Sequence, residues 1–436
     1  MGMSVQIRTL VDNILKELIG ERIENVSVVK INSSNLSNNG DLSILINLCA
    51  WKDYISPEIE DELMNILEYY FYRNEQFILH SSDETAEKVF EALIHSSRNW
   101  PLKIEKCTLQ KERVCIFLNR PHAMATAIKT IIEFGSNYGR ALSNEKNFAI
   151  EVLPDFESHL TNVRLHIIKD VTRNILRLQG YQISENGHFK HILTVKSQGE
   201  IENNYKRIVC GVVKSSQMGT KEKELTWDMY ITRIMDKLSH TVSQKFFSEN
   251  AMIDDYNDVL NIAKAVATFE LLSVKPSRAV LLKADTNYID NVINKKGGLF
   301  VLYNTVRIAA IFEKYNERRC KGMYPALTHI DDVDFSLLTQ EEEWELVYNF
   351  ILGYSKLIEN GIRHEPTLEP CPQVVCAFLS QLCKMFSVYY CRFRVLTERR
   401  HHLIPTMMAK LYLLQSLQIV LHNALAILGI DRISHM

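Results

Sequence analysis

The stretch FVLYNTVRIAAIFEKY, residues 300–315, decides how the second half of this chain is read. Tyr303 and Arg307 are four apart, and Lys314 falls two turns beyond Arg307. On a helix the three form one stripe beside an apolar face of Leu302, Val306, Ala309 and Phe312. Such a stripe either faces water or presents an aromatic face, a planar donor and a positive charge to a ligand. From about residue 251 onward the chain reads as nearly all helical. TQEE at 339–342 reads as a capping box, with Thr339 as N-cap and Glu342 reaching back. Pro372 and Pro405 stand where first-turn prolines open two long helices. Residues 251–436 are therefore expected to form a helix bundle.

Upstream, residues 151–250 combine a helix near 160–178 with two short strand-like pieces, HILTVK and RIVCGVV. A polar loop, KSSQMGTKEKE, then leads into another helix. Residues 1–150 alternate helices and strands. IRTLVDNILKELIG places apolar residues at 7, 10, 11, 14, 15 and 18 and is stopped by Gly20. DLSILINL alternates Leu42, Ile44, Ile46 and Leu48 as a half-buried strand does, and RVCIFL (113–118) reads as another strand followed by a helix near 122–135. The expected architecture is multidomain, α/β plus all-α: a small α+β N-terminal domain, a reduced middle segment and a C-terminal helix bundle.

Composition narrows the function. A chain of 436 residues, 46% hydrophobic and 23% charged, has room for two or three ordinary globular cores. Fifty Lys and Arg against 52 Asp and Glu give a net charge of -2, which argues against indiscriminate coating of nucleic acid; any such contact must come from local patches. The start MGMSVQIRTLVDNILKEL reads as an amphipathic helix rather than a signal peptide, and Gly2 lacks the serine or threonine a myristoylation signal needs. Polar residues interrupt LYLLQSLQIVLHNALAILGI (411–430), so a buried helix fits better than a membrane span. The nine cysteines lack zinc-site spacing, and Cys376 and Cys383, seven apart on an apolar pattern, read as core. A reducing cytoplasm, or also the nucleus, is the expected compartment.

Four blocks then resemble, in order and approximate spacing, the DALR anticodon-binding domain of arginyl-tRNA synthetases: LYNTVRIAAIF (302–312), DFSLLTQEEEWEL (334–346), FSVYYCRFRVL (386–396) and VLHNALAILGI (420–430). FLNRPHAMATAIKTIIEFGSNYGR (117–140) is similar to the end of the synthetase N-terminal domain. LPDFESHLTNVRLHIIKDVTRNILRLQGY (153–181) is similar to the segment with the HIGH signature, and CGVVKSSQMGTKEKELTWDMY (210–230) to the segment with KMSKS. The resemblance covers nearly the whole chain. Its closest form is the DALR anticodon-binding domain-containing protein 3 family, whose members look like synthetases that have lost their catalytic body. It implies an N-terminal-like α+β domain over 1–150, a remnant catalytic region acting as scaffold over 151–250, and a DALR-type domain over 251–436.

The activation chemistry looks degraded. The positions matching HIGH read His159-Leu160-Thr161-Asn162, without the glycine that lets backbone approach a nucleotide. The positions matching KMSKS read Gln217-Met218-Gly219-Thr220-Lys221, without the leading lysine that would steady charge on pyrophosphate. About 35 residues separate Tyr181 from Met218, and one βαβ unit takes roughly thirty, so a five-stranded nucleotide-binding sheet has no room between them. Arg164 and Asp170 match family positions on what reads as a spacer helix. The chain also lacks a phosphate-cradling glycine loop, HExxH and GxSxG. RRHH (399–402) reads as an exposed phosphate-facing cluster rather than a metal site. No catalytic residue, metal or cofactor is expected.

In the resembling synthetases both end domains hold tRNA. The helix matching 300–315 faces the anticodon loop, which makes Tyr303 a stacking surface, Arg307 a planar donor and Lys314 a phosphate contact. Arg318, Arg319 and Lys321 stand just past the same helix; Tyr389, Tyr390, Arg392, Arg394, Arg399 and Arg400 interleave rings with cations, with at least one of the two tyrosines expected in the core. Asn119, with Arg120 and His122, matches a position that contacts the tRNA elbow, though Asn119 equally suits the cap of a helix started by Pro121. The resemblance implies a non-catalytic, non-membrane adaptor that recognises arginine tRNA and presents its anticodon loop to a 3-methylcytidine tRNA methyltransferase. The rivals are a structural component of a synthetase or modification complex, and a divergent arginyl-tRNA synthetase.

Overall fold

The computed structural model describes residues 6–21, 27–55, 63, 65–74, 82–198, 204–215, 218–245, 256–282, 295–398 and 400–431. They fall into two compact units, Ser4–Glu133 with His329–Gly353, and Phe134–Thr328 with Tyr354–Met436. This cut differs from the three sequence regions: 329–353, inside the expected helical domain, packs with the N-terminal sheet.

In that first unit the helix Ile7–Ile19 buries all the apolar positions its periodicity marks. Gly20 ends it at φ 87°, donating its N–H back to the Lys16 carbonyl. The antiparallel sheet runs β1-β2-β4-β3, with β1 Val29–Ile31, β2 Leu42–Leu45, β3 Ile104–Gln110 and β4 Arg113–Leu118. β2 departs from the expected half-buried strand. Leu42, Ser43 and Ile44 are all buried, so it is covered on both faces, and Leu48 enters a 3-10 turn, Leu48–Trp51.

Asp41, just before β2, is wholly buried. Its carboxylate accepts the Leu118 backbone N–H at 2.8 Å and the Trp344 indole N–H at 2.8 Å, while its carbonyl accepts the Tyr348 hydroxyl at 2.6 Å. Trp344 and Tyr348 come from the short helix Glu341–Leu346 and the π-helical turn Val347–Leu352 that continues it. The helix starts one residue later than the sequence suggests: Gln340 is the N-cap, and Glu343 rather than Glu342 reaches back to its N–H, at 3.0 Å.

In the second unit β5 (Asn147–Val152), β6 (Gln182–Ile183), β7 (Phe189–Thr194) and β8 (Lys206–Val209) form a parallel sheet in the order β6-β5-β7-β8. The helix His159–Leu178 joins β5 to β6, a single βαβ step. β7 then lands on the other side of β5 after a short connection, because Gly187 lets the chain hug the Phe148 backbone; a Cβ there would lie 2.4 Å from the Phe148 carbonyl carbon. Arg164, 1% exposed, fixes this sheet to the helices. Its guanidinium donates to five carbonyls, those of Gly211, Leu271, Val274, Lys275 and Arg278, at 2.6–3.3 Å. Burial draws its pKa down to about 10, and the carbonyls at the end of the helix Tyr256–Leu272 compensate the charge.

The helices Gly297–Cys320, Pro372–Arg392 and Ile404–Ile427 make the core of the bundle, with Pro372 and Pro405 in first turns as the sequence suggests. The first two run parallel: Cys383 meets the Val301 carbonyl, and seven residues on Tyr390 meets Arg307. Cys376 and Cys383 are buried, which raises both thiol pKa values. Pro372–Arg392 and His401–Ile427 are long and apolar enough to cross a membrane by composition, but here Leu379, Leu382, Phe386, Leu413, Leu417 and Leu421 bury them in the bundle. The buried face of 297–320 also differs from expectation. Asn304 and Thr305 are in the core, and Val306, Ala309 and Phe312 are half-buried. Those two polar side chains are tolerated because each donates to the carbonyl four residues back, at 2.8 and 3.1 Å.

Candidate RNA interface

Tyr303 and Arg307 share the half-buried flank of the helix Gly297–Cys320. Arg307 donates to the Tyr303 hydroxyl at 2.5 Å, and its guanidinium lies 4.4 Å from the Tyr303 ring centroid. It also lies 4.8 Å from the ring of Tyr390, at the end of the helix Pro372–Arg392. The parallel course of the two helices brings these residues together. Tyr390 keeps 40% of its surface in solvent. The result is a cation close to two rings with one ring open, an arrangement suited to accept a base by stacking and a base edge or phosphate by the remaining guanidinium donors.

Lys314 is exposed on the same helix, and Arg319 is exposed at its end. Arg318 is committed to structure: it donates to the Tyr324 hydroxyl at 2.7 Å, and Tyr324 donates to the Thr397 carbonyl at 2.5 Å. Tyr324 went unnoticed in the sequence, where one tyrosine beside Pro325 carries no signal. Lys321 pairs with Glu317 at 2.5 Å, and Arg400 with Glu398 at 2.9 Å. Arg392 and Arg394 are exposed, whereas Arg399 lies outside the described residues. Tyr389 does not belong to this surface. It is fully buried, with its ring 5.4 Å from that of Phe393, because adjacent helix positions point about 100° apart and only one of the pair can face out.

The N-terminal candidates are engaged within their own unit. Asn119 caps the helix Arg120–Phe134, its carbonyl oxygen accepting the His122 N–H at 3.0 Å and its amide donating to Glu105 at 2.5 Å. Arg120 is bidentate on Glu341, at 2.6 and 3.3 Å, and stacks 5.5 Å over Trp344. Both side chains are spent on the sheet unit itself.

The HIGH-like and KMSKS-like positions are also occupied. His159 accepts the Trp227 N–H at 3.1 Å, capping the helix Trp227–Lys245. Lys221 pairs with Asp155 at 2.8 Å and Glu157 at 3.1 Å. Burial pulls the Lys221 pKa down, but these hydrogen bonds outweigh it and hold the ammonium charged. Thr161 accepts the Val213 N–H at 3.1 Å, tying the two segments again. Gln217 lies outside the described residues.

The fold is that of the arginyl-tRNA synthetases. Residues 301–436 match the DALR anticodon binding domain family. The chain is similar to the DALR anticodon-binding domain-containing protein 3 of Rattus norvegicus, 32% identical over 56% of this chain and 46% of the relative. The zebrafish (Danio rerio) protein of that name is 28% identical over 52% of this chain and 41% of its own. The matches thus span about half the length of these curated relatives. An arginine--tRNA ligase of Saccharolobus solfataricus is 26% identical over 66% of this chain and 38% of its own. Among solved structures, the Thermus thermophilus arginyl-tRNA synthetase superposes with a TM-score of 0.64 at 11% identity, covering 99% of this chain and 100% of that one. The Plasmodium falciparum enzyme gives 0.65 at 10%, covering 100% of both.

Proposed function

We propose that this protein is a non-catalytic tRNA-binding adaptor, which recognises arginine tRNA through its DALR-type helices and presents the anticodon loop to a 3-methylcytidine tRNA methyltransferase. The observation that carries the binding half is Arg307 in contact with Tyr303 and with the open ring of Tyr390, on the domain that matches an anticodon-binding family. The non-catalytic half is supported by His159 and Lys221, whose polar atoms are engaged in holding two segments together. An adaptor that already grips the tRNA raises the effective concentration of its loop at a partner's active site. All nine cysteines are free thiols, which suits a reducing cytoplasm or nucleus.

The test is a salt titration of three RNAs: full arginine tRNA, its anticodon stem-loop and an unrelated tRNA. The full arginine tRNA should bind most tightly, and its preference over the unrelated tRNA should persist as salt rises, because base contacts rather than phosphates carry it. Equal affinity and equal salt dependence for all three would refute the adaptor. ATP–pyrophosphate exchange above background would instead favour a divergent synthetase. Addition of the candidate methyltransferase should yield methylated arginine tRNA only when this protein is present.

A further inference from the structure

The end of the parallel sheet where its strands begin carries a second row of rings and cations. Tyr181 precedes β6, Lys146 precedes β5, Phe189 and Lys190 open β7, and Tyr205 precedes Lys206, which opens β8. In the spatial order β6-β5-β7-β8, one face carries Tyr181, Lys146, Phe189 and Lys206 across about 14 Å at ordinary strand spacing, while Lys190 and Tyr205 alternate to the opposite face. On the first face Tyr181 and Phe189 are joined through a shared ring neighbour. Phe148 lies beneath them, 5% exposed, with its centroid 5.1 Å from Tyr181 and 5.2 Å from Phe189. His364 extends the row, 5.4 Å from Tyr181 and held by Gln179 at 2.9 Å. On the opposite face Lys190 stands 5.5 Å over the Tyr205 ring. Phe189 is 42% exposed, and Lys146, Lys206 and His364 are exposed. Gly187, two residues before Phe189, lets the chain run against the Phe148 backbone.

The charges beside the two histidines are cationic. Burial, then Lys206 and His364, lower the pKa of His191; burial, then Lys146, lower that of His364. Glu145 and Glu185 stand nearby in the chain and keep the sum of charge small. Rings interleaved with ammonium groups nevertheless suit a strand of RNA, because base stacking supplies affinity that net charge does not.

We propose that this edge is a second RNA-contact surface, which takes unpaired nucleotides of the tRNA outside its anticodon loop by stacking on Phe189 and Tyr181, with phosphates on Lys146 and Lys206. The inference rests on the reading that the chain binds tRNA. The full chain should be compared with Phe189→Ala, Phe189→Leu and the double variant Lys146→Glu/Lys206→Glu. Each should weaken binding of full arginine tRNA by about tenfold, the size of one lost stack or a few phosphate contacts. Binding of the isolated anticodon stem-loop should not change. Phe189→Leu keeps apolar bulk without the ring face, so a loss there with unchanged melting separates stacking from folding. Unchanged affinity for full tRNA in all three variants, or equal weakening for the stem-loop, overturns the inference and leaves the adaptor reading standing. If the unaltered chain binds neither RNA, both fail. A protein partner released by these substitutions at constant RNA affinity would assign the edge to protein contact and overturn the RNA assignment.

Discussion

The Arg307 guanidinium lies 4.8 Å from the Tyr390 ring, although the two residues are 83 positions apart and on different helices. The cation therefore orders the tyrosine face before any ligand arrives. Replacing Arg307 by Ala should weaken arginine-tRNA binding by about 1–3 kcal/mol, with melting nearly unchanged because the site lies on a half-exposed flank. Arg307→Lys should fall between, since an ammonium keeps charge but loses the plane that rests on the rings. A titration showing wild-type affinity for Arg307→Ala would remove this site from the interface.

Tyr389 and Tyr390 should separate cleanly by experiment. Tyr389→Ala removes a wholly buried ring and should cost about 3 kcal/mol of stability or more. Tyr390→Ala should leave stability within about 0.5 kcal/mol and lower tRNA affinity. Denaturant melts paired with binding curves would decide it, and a reversed pattern would contradict the assignment of faces.

Arg164 should resist replacement. Lys in its place offers three donors to five carbonyls and Met offers none, so buried acceptors are left without partners. Arg164→Met should destabilise the second unit by roughly 3 kcal/mol or more, and Arg164→Lys by less. Chemical denaturation that finds Arg164→Met as stable as the parent would show that the guanidinium is dispensable.

Asp41 makes stability depend on pH. Burial, partly offset by the Leu118 and Trp344 hydrogen bonds, raises its pKa from 3.8 to about 6. The folded protein therefore holds this proton more tightly than the unfolded chain, and the group's contribution to stability grows as pH falls from 7 through 6 towards 4. Over that window it amounts to roughly 2 kcal/mol. Asp41→Asn loses an acceptor at every pH but cannot titrate, so the stability advantage of the parent over the variant should widen on acidification. A difference that stays constant between pH 7 and pH 4 would mean that Asp41 does not titrate in this range.

Much of this was legible in the sequence. The first helix and its glycine stop, β4, the two proline-started helices and the buried cysteines all follow from local periodicity and caps. Arg307 and Tyr303, four apart on one helix, were visible as a pair. Tyr390 as the second ring was not, because only the parallel packing of two helices brings it to Arg307. The same limit explains Arg120: its residue type suits RNA, but Glu341 and Trp344 claim it through contacts that no local pattern announces, whereas the cap made by Asn119 was legible beside Pro121. Asn304 and Thr305 misled the apolar-face reading because a polar side chain that bonds its own helix can enter a core. The parallel sheet was read as strand fragments because β6 has two residues and its connection to β7 is too short for the usual crossover.

The chain leaves the helical unit after Thr328 and rejoins it at Tyr354, having lent 25 residues to the sheet unit. The two units are thus interleaved in sequence, in the manner of an insertion, and no single cleavage point yields two whole parts. A C-terminal fragment starting at 251 would carry Trp344 and Tyr348 with no Asp41 to receive their hydrogen bonds, and would be prone to aggregate. An N-terminal fragment ending at 150 would expose the core that those residues cover. Dissection of this protein by truncation would therefore confuse misfolding with loss of function. A sounder dissection deletes 329–353 from the helical piece, bridges Thr328 to Tyr354 with a short linker, and supplies the excised segment in trans to the sheet.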